Sequence, residues 1–234
     1  MHKTITIRVG KAVSQNNFTV HEDVICAASP FFKAACKPEW MKPEEKVVNL
    51  PEDDAEVIRI MIYWIYHDEI CIAEVPTLVK GCTIIENFSS PSGLFIKLYV
   101  AAQKYQMPRL QNAAIDALLY HQYNQVPLNA DLITWVYENT APDDKLRELN
   151  LLLARQCLSA TNLKTHGKFF CVEFLLDMTK AFVEQRELGD IDPSVESLYG
   201  DEGSGDFCRM FHVKDGCDGE CVAFKLYIEH TKEK

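Results

Sequence analysis

The feature that most constrains the fold is an apolar segment that runs from Val57 to Tyr66. Asp53 and Glu56 have the spacing of a capping box, so we predict a helix that begins here and ends near Tyr66. Its apolar residues are Val57, Ile58, Ile60, Met61, Ile62, Trp64 and Ile65. A helix that is apolar on all sides has to be covered on more than one side. The predicted helix lies either at the centre of the fold or with one face against a partner. The two alternatives are compatible if the helix is a core helix whose end alone is exposed.

Three strands and a helical hairpin are predicted before this helix. Apolar and polar residues alternate over residues 4–9, which is the pattern of a half-buried strand, and a second strand around residues 18–20 can pair back as a hairpin. Ser29 and Pro30 fit the N-cap and first-turn positions of a short helix. A third strand is predicted over residues 46–50, so the first part of the chain is α+β.

Helical spacing dominates the rest of the chain up to Gly189, a natural helix stop. After a Ser/Pro/Gly loop we predict one helix to about Tyr105 and another from Pro108. The helices predicted beyond Pro127 cover residues 131–138, 142–157 and 169–188. In the last of them, Phe170, Phe174, Met178 and Phe182 follow helical spacing, so we expect them on one buried face.

The end of the chain changes in composition. Residues 189–206 contain six acidic residues and no Lys or Arg, which indicates a mobile linker, with an acidic docking peptide as the alternative. Residues 207–234 fit a hairpin, with a short helix near His212 as the alternative. The predicted domains are 1–124, a helical extension 125–188, an acidic linker 189–206 and a Cys/His tail 207–234.

Charge and cysteine usage limit the partners and the compartment. The 24 basic and 34 acidic residues give a net charge of −10, which disfavours nucleic acid and anionic membranes. The first ten residues lack the apolar core of a signal peptide, and the segment from Val57 to Tyr66 is too short to span a bilayer. Nine cysteines, mostly scattered singly, are typical of a reducing compartment. We therefore expect an intracellular protein, in the cytoplasm or the nucleus.

Catalytic motifs are absent from the sequence. It contains no nucleophile elbow, no phosphate-binding glycine loop and no H-E-x-x-H helix. His21 has no nucleophile or carboxylate at strand or helix spacing, so we expect its ring to form a structural hydrogen bond at a strand-to-helix junction. The chain is expected not to be an enzyme.

The tail contains the one cluster with metal-ligand chemistry. Cys208 and His212 are four residues apart, so a helical turn would place both on one face, and Cys217 and Cys221 could complete a tetrahedral zinc site. The spacing is wider than that of strong zinc motifs. Reduced cysteines packed in a terminal hairpin are the simpler alternative, and a redox thiol is a third. No other cofactor is expected.

Several ordered segments carry a family resemblance. They are residues 18–32, which end in Ser29-Pro30-Phe31-Phe32, then Val48-x-Leu50-Pro51-Glu52-Asp53-Asp54, the helix from Ile60 to Tyr66, and Tyr99-x-x-Ala102-x-Lys104-Tyr105-x-Met107-Pro108-x-Leu110. Together they resemble the signatures of the BTB/POZ domain. Residues 136–140 and 145–149 resemble the helical extension of fungal-type BTB proteins.

The resemblance implies a small sheet capped by helical hairpins and a role as an interaction scaffold, often a homodimer. Many family members connect a substrate receptor to the cullin scaffold of a ubiquitin ligase. Here the matching stretch is Trp40-Met41-Lys42, with Lys where the family carries Glu, and a charge reversal at a specific contact opposes cullin binding. The chain begins at the first strand, so dimerisation through a swapped N-terminal helix is not expected.

A second departure from the family lies at the end of the apolar helix. The family's Tyr-Thr-Gly turn is here Tyr66-His67-Asp68, and Asp tolerates a left-handed backbone better than most residues. We therefore expect the turn to survive.

Five residues form the predicted partner-binding set: Phe32, Trp40, Met41, Tyr66 and His67. Trp40 and Met41 lie in a loop flanked by Pro and Lys, where core anchoring is the alternative to partner contact. The predicted function is a non-enzymatic interaction module that acts as a homo- or hetero-oligomeric scaffold. A substrate adaptor of a cullin-type ubiquitin ligase is the alternative, and a zinc-binding tail module is a more distant one.

Overall fold

The structure is a computed structural model that describes residues 3–11, 15–40, 46–71, 90–125, 129–188 and 210–213. In chain order the elements are β1 (Thr4–Val9), β2 (Asn16–His21), α1 (Glu22–Ala28), α2 (Pro30–Ala35), β3 (Val47–Leu50), α3 (Ala55–His67), α4 (Pro91–Lys104), α5 (Pro108–Gln125), α6 (Ala130–Asn139), α7 (Lys145–Cys157), α8 (Ala160–His166), a 3-10 turn (Gly167–Phe169) and α9 (Val172–Leu188). Within these described ranges, no helix is long and apolar enough to cross a membrane.

The described strands form one sheet in the order β2-β1-β3. The β1–β2 pair is an antiparallel hairpin in which Ile5 lies opposite Val20, whereas β3 pairs parallel to β1 with Val48 opposite Ile7. Alternate side chains of β1 are buried against the helices, as a half-buried strand requires. The three predicted strands are confirmed.

Ser29 links the first helical hairpin to the centre of the domain. Its Oγ accepts a hydrogen bond from the Phe32 backbone N–H (3.2 Å), which caps α2, and donates to the backbone carbonyl of Tyr105 (2.6 Å). Pro30 occupies the first turn of α2. The Phe32 ring stacks on the Tyr105 ring with centroids 5.1 Å apart. The predicted cap is confirmed, and the same hydroxyl also holds the turn between α4 and α5.

Helix α3 is the central helix that the sequence predicts. Its buried residues are Val57, Ile58, Ile60, Met61 and Trp64. Its C-terminal end is exposed at Tyr66 and His67, and Asp68 closes it in the left-handed conformation with φ of 56°. Both the burial of α3 and the left-handed turn at Asp68 are confirmed.

The N-cap of α3 differs from the prediction by one residue. Asp54, not Asp53, accepts the hydrogen bond from the Glu56 backbone N–H, at 3.0 Å. Asp53 instead forms an ion pair with Lys104 at 2.8 Å. Asp54 also pairs with Lys97 at 2.7 Å, so both carboxylates tie the start of α3 to α4.

Helices α6, α7 and α9 pack against one another, and α6 also contacts α4. Arg147 fills the turn between α6 and α7: its guanidinium donates to the backbone carbonyls of Tyr137 (2.5 Å) and Thr140 (2.6 Å). It also lies 4.3 Å from the centre of the Tyr137 ring. A buried guanidinium with several acceptors is a stable arrangement, because its donors are satisfied.

Helix α9 buries Phe174 and Met178, as predicted, together with Phe170 just before it. Phe182 was expected on the same face but is exposed. The reason is that every described side chain from residue 179 to 185 is exposed or half-buried, so the described helices do not cover this end of α9. The predicted linker 189–206 lies outside the described residues.

We expect Ser29→Ala to lower the free energy of unfolding by about 2–4 kcal/mol. The substitution removes a helix cap, worth about 1 kcal/mol, and the hydrogen bond to a buried carbonyl, worth about 1–3 kcal/mol when its partner is lost. Urea denaturation followed by circular dichroism measures the change. Asn129→Ala, at the half-buried cap of α6, is the matched control with an expected loss of about 1 kcal/mol. Equal losses in the two variants would contradict the anchoring role of Ser29.

We expect the Asp54 carboxylate to contribute stability that is lost in acid. Burial alone would raise the pKa of Asp54, but the hydrogen bond and charge of Lys97 and the N–H groups of Glu56 and Val57 hold it below its usual value. The folded pKa is therefore lower than the unfolded one. Its contribution is present above the unfolded pKa, about 4, and disappears as the pH falls through the folded pKa.

The stability lost between neutral pH and about pH 3 should therefore be smaller in Asp54→Asn than in the unsubstituted protein. Lys97→Gln should reduce the loss in the same direction, because it removes the paired charge. Denaturation midpoints measured across this pH range test both variants. An unchanged acid dependence in Asp54→Asn would count against this role.

Candidate protein-interaction site

Trp40 is a highly exposed member of the predicted partner-binding set. It lies in the turn that follows α2, where its backbone N–H donates to the Lys37 carbonyl at 3.0 Å. Its side chain is 81% exposed, so the core-anchoring alternative is wrong for Trp40. A large aromatic side chain held at the surface is typical of an interface anchor. Met41 lies outside the described residues.

Tyr66 and His67 form an exposed aromatic end to α3. The His21 backbone N–H donates to Tyr66 Oη at 2.9 Å, and His21 Nδ1 lies 2.9 Å from the same oxygen. The His67 ring stacks on Tyr63 at 4.2 Å between centroids. The predicted structural hydrogen bond of the His21 ring is confirmed. These contacts hold both aromatic rings in place at the protein surface.

Phe32 lies in the core rather than at the surface. Its side chain is fully buried and contacts Phe31 and Tyr105 through ring-to-ring packing. It can take part in partner binding only by positioning the helix on which it lies. Trp40, Tyr66 and His67 therefore supply the exposed surface among the described members of the predicted set.

A further exposed surface, which sequence reasoning missed, runs along α9. Val172 is 71% exposed, Leu176 is 54% exposed, and Val183 is also exposed. At 100° per residue, these three positions share one face of the helix. We call this face, defined by Val172, Leu176 and Val183, the α9 stripe.

The sequence carried a signal for the α9 stripe. The stripe lies opposite the face that buries Phe170, Phe174 and Met178. A helix with only one packed face carries polar residues on that opposite side. Phe169, also exposed, extends the apolar surface just before α9. Apolar residues on both faces of one helix indicate two packing surfaces, of which the described chain covers one.

The predicted metal site is described only at His212. Its Nε2 lies 2.7 Å from Asp116 Oδ1, so a metal would have to be bound through Nδ1. Cys208, Cys217 and Cys221 lie outside the described residues. Within the ranges that the structure describes, no group of three or more His, Cys, Asp and Glu residues is arranged to hold a metal ion. The zinc site therefore stays a prediction.

The described cysteines are free thiols: Cys26, Cys36, Cys71 and Cys171. Burial, together with the hydrogen bond and charge of Cys26, raises the pKa of Cys36 to about 12. Burial also raises the pKa of Tyr99, Tyr105 and Tyr137 above the usual value. A thiol and phenols whose pKa values are raised stay protonated at neutral pH.

Comparison with protein-family models gives a match to the BTB/POZ domain over residues 2–122, more than half of the chain. The chain belongs to the BTB/POZ family, and the resemblance of its ordered segments is confirmed. The small sheet with helical hairpins is the α+β fold that the resemblance implied. A search of curated proteins found no significant match. The BTB/POZ domain is a protein–protein interaction module, so the chain carries such a module.

We expect Tyr66→Phe to lower the free energy of unfolding by about 1 kcal/mol, because it removes the hydroxyl that bonds His21. Trp40→Ala should change it by less than about 0.5 kcal/mol, because an exposed side chain contributes little. Urea denaturation of both variants distinguishes a structural tyrosine from a surface tryptophan. A larger loss in Trp40→Ala than in Tyr66→Phe would overturn this assignment.

Proposed function

We propose that the chain is a non-enzymatic interaction scaffold that assembles with copies of itself or with other proteins. The observation that carries the proposal is the α9 stripe, an exposed apolar face on a 17-residue helix. Such faces on soluble proteins mark interaction sites, because water exposure of contiguous apolar surface is unfavourable. The BTB/POZ domain supplies the interaction module, and the α9 stripe adds a contact surface on the helical extension.

The energetics of the α9 stripe favour association. Full burial of a Val or Leu side chain is worth about 1.5–3 kcal/mol, and the stripe presents three of them already fixed on a helix. The net charge of −10 opposes self-association at long range, but salt at physiological concentration screens charges beyond about 8 Å. Contact between apolar faces is therefore compatible with an acidic protein.

A substrate adaptor of a cullin-type ubiquitin ligase is the second candidate. The exposure of Trp40 supports it, because Trp40 is the apolar residue of the stretch where the resemblance places the cullin contact. Lys42 opposes it through its charge. The free thiols at the described cysteines are consistent with work in the cytoplasm or the nucleus. A zinc-binding tail remains the third candidate.

We expect the protein to form dimers or larger species through the α9 stripe, and the double variant Leu176→Ser with Val183→Ser to be monomeric. Light scattering coupled to size-exclusion chromatography, run over a range of concentrations, measures the mass. Phe182→Ser is the matched control, because Phe182 is exposed on α9 but lies outside the stripe. Loss of assembly in the control alone, or equal assembly in all three proteins, would contradict the role of the stripe.

Binding to a purified cullin scaffold tests the second candidate with the same preparations. Retention of the cullin that is lost in Trp40→Ala would favour the adaptor function. Assembly through the α9 stripe without cullin retention would favour the scaffold.

A further inference from the structure

The described tail residues 210–213 pack against α5, about 100 residues earlier in the chain. The contact consists of a buried aromatic ring, a buried His–Asp pair and a pair of hydrogen bonds to one backbone unit. None of these three features follows from the BTB/POZ fold or from the proposed assembly surface. Together they have the properties of a bound peptide in its site.

The Asn112 side chain forms hydrogen bonds with the backbone of the tail. Its side-chain amide accepts a hydrogen bond from the Val213 N–H at 2.7 Å and donates to the Val213 carbonyl at 3.1 Å. One carboxamide thus satisfies both backbone groups of one residue, as a neighbouring strand would. With the tail in place, the Asn112 side chain is buried.

Asp116 contacts the His212 side chain of the tail. It lies one helical turn after Asn112 and therefore on the same face of α5. Its Oδ1 is 2.7 Å from His212 Nε2, and both side chains are less than 5% exposed. A carboxylate covered to this extent requires hydrogen-bonding partners, because its desolvation is otherwise unfavourable. A histidine at this position of the peptide meets that requirement.

Phe211 supplies the apolar anchor. Its side chain is 1% exposed, whereas that of the preceding Met210 is 38% exposed. The burial of one residue and the exposure of its neighbour show which side chain the site accepts. The sequence it recognises is an aromatic residue, then His, then a residue whose backbone N–H and carbonyl are both available.

We propose that α5 carries a peptide-binding site, formed around Asn112 and Asp116, that the chain's own Phe211-His212-Val213 occupies in cis as a detachable ligand. Residues 189–209, which are the predicted linker and the first three residues of the tail, join α9 to Met210 as a tether of 21 residues. A tether of this kind gives the tail an effective concentration of about millimolar order. Even if the intrinsic affinity of the tail for the α5 site is modest, the tail then occupies that site in the intact chain. Once the tether is cut, the tail can leave it.

The test uses the full chain with a protease site inserted between Gly200 and Asp201, folded first and cut afterwards. A fluorescent peptide that covers residues 206–215, with Cys208→Ser, is added in excess to the cut and the uncut protein. Both samples contain a chelator and a thiol reductant, so that binding reports on α5 and not on a metal or a disulfide. Fluorescence anisotropy measures the affinity.

We expect the cut protein to bind the peptide at least about ten-fold more tightly than the uncut protein, because the tethered tail competes in the latter. Phe211→Ala and His212→Ala in the peptide should each weaken binding by about ten-fold or more. The Met210→Ala peptide is the matched control and should bind within about two-fold of the parent peptide. Asp116→Asn in the protein, with its helical circular dichroism unchanged, should lose discrimination between His212 and Ala in the peptide.

Equal affinity of the Phe211→Ala and Met210→Ala peptides would overturn the proposal, as would failure of excess peptide to enter the cut protein. Peptide binding that occurs only in a parallel sample without the chelator would also overturn it, because a metal rather than α5 would then hold the tail. A dimer of the uncut protein that separates into monomers on cutting would place the tail on a neighbouring copy and exclude occupancy in cis.

Discussion

The hydrogen bond from Ser29 to the Tyr105 carbonyl is the contact on which the rest of the BTB/POZ domain depends. It joins residues that are 76 positions apart, and it is only 2.6 Å long. One hydroxyl begins α2 and also fixes the turn between α4 and α5, while the stacked rings of Phe32 and Tyr105 exclude water around it. Because that turn sets the direction of α5, the position of Asn112 and Asp116 follows from a serine in the first helical hairpin.

Helix α4 connects this core to the central helix α3 and to the helical extension. Lys97 and Lys104 pair with the two aspartates at the start of α3, and Gln103 donates to Asp144, the cap of α7, at 3.0 Å. Each pair is partly exposed and individually weak. Together they orient α4 between the central helix and the helical extension, so the extension is attached through specific polar contacts as well as through apolar packing.

The sequence was sufficient for features that local patterns determine. The alternation in β1, the cap at Ser29 and the left-handed turn at Asp68 depend on neighbouring residues, and all three were predicted. The N-cap of α3 was not, because Asp53 and Asp54 both satisfy local cap chemistry. The residues that fix their roles are Lys97, 43 positions from Asp54, and Lys104, 51 positions from Asp53. The site on α5 was missed for the same reason, since nothing near Asp116 in the sequence indicates that His212 will cover it. The sequence left Trp40 open between core anchoring and partner contact, and its exposure decides for the surface. The α9 stripe was missed because the sequence analysis considered only the opposite, buried face of that helix.

The contact between Asn112 and Val213 has a consequence for the order in which the chain folds. The two residues are 101 positions apart, and Val213 leaves the ribosome long after α5 is complete. Closing a loop of that length costs entropy that only a nearly finished structure can offset. The buried polar groups of α5 therefore stay hydrated until the helical extension has packed. In that order of events, docking of residues 210–213 follows the packing of the helical extension, and a chain that stalls earlier lacks the contacts of Asn112 and Asp116 with the tail.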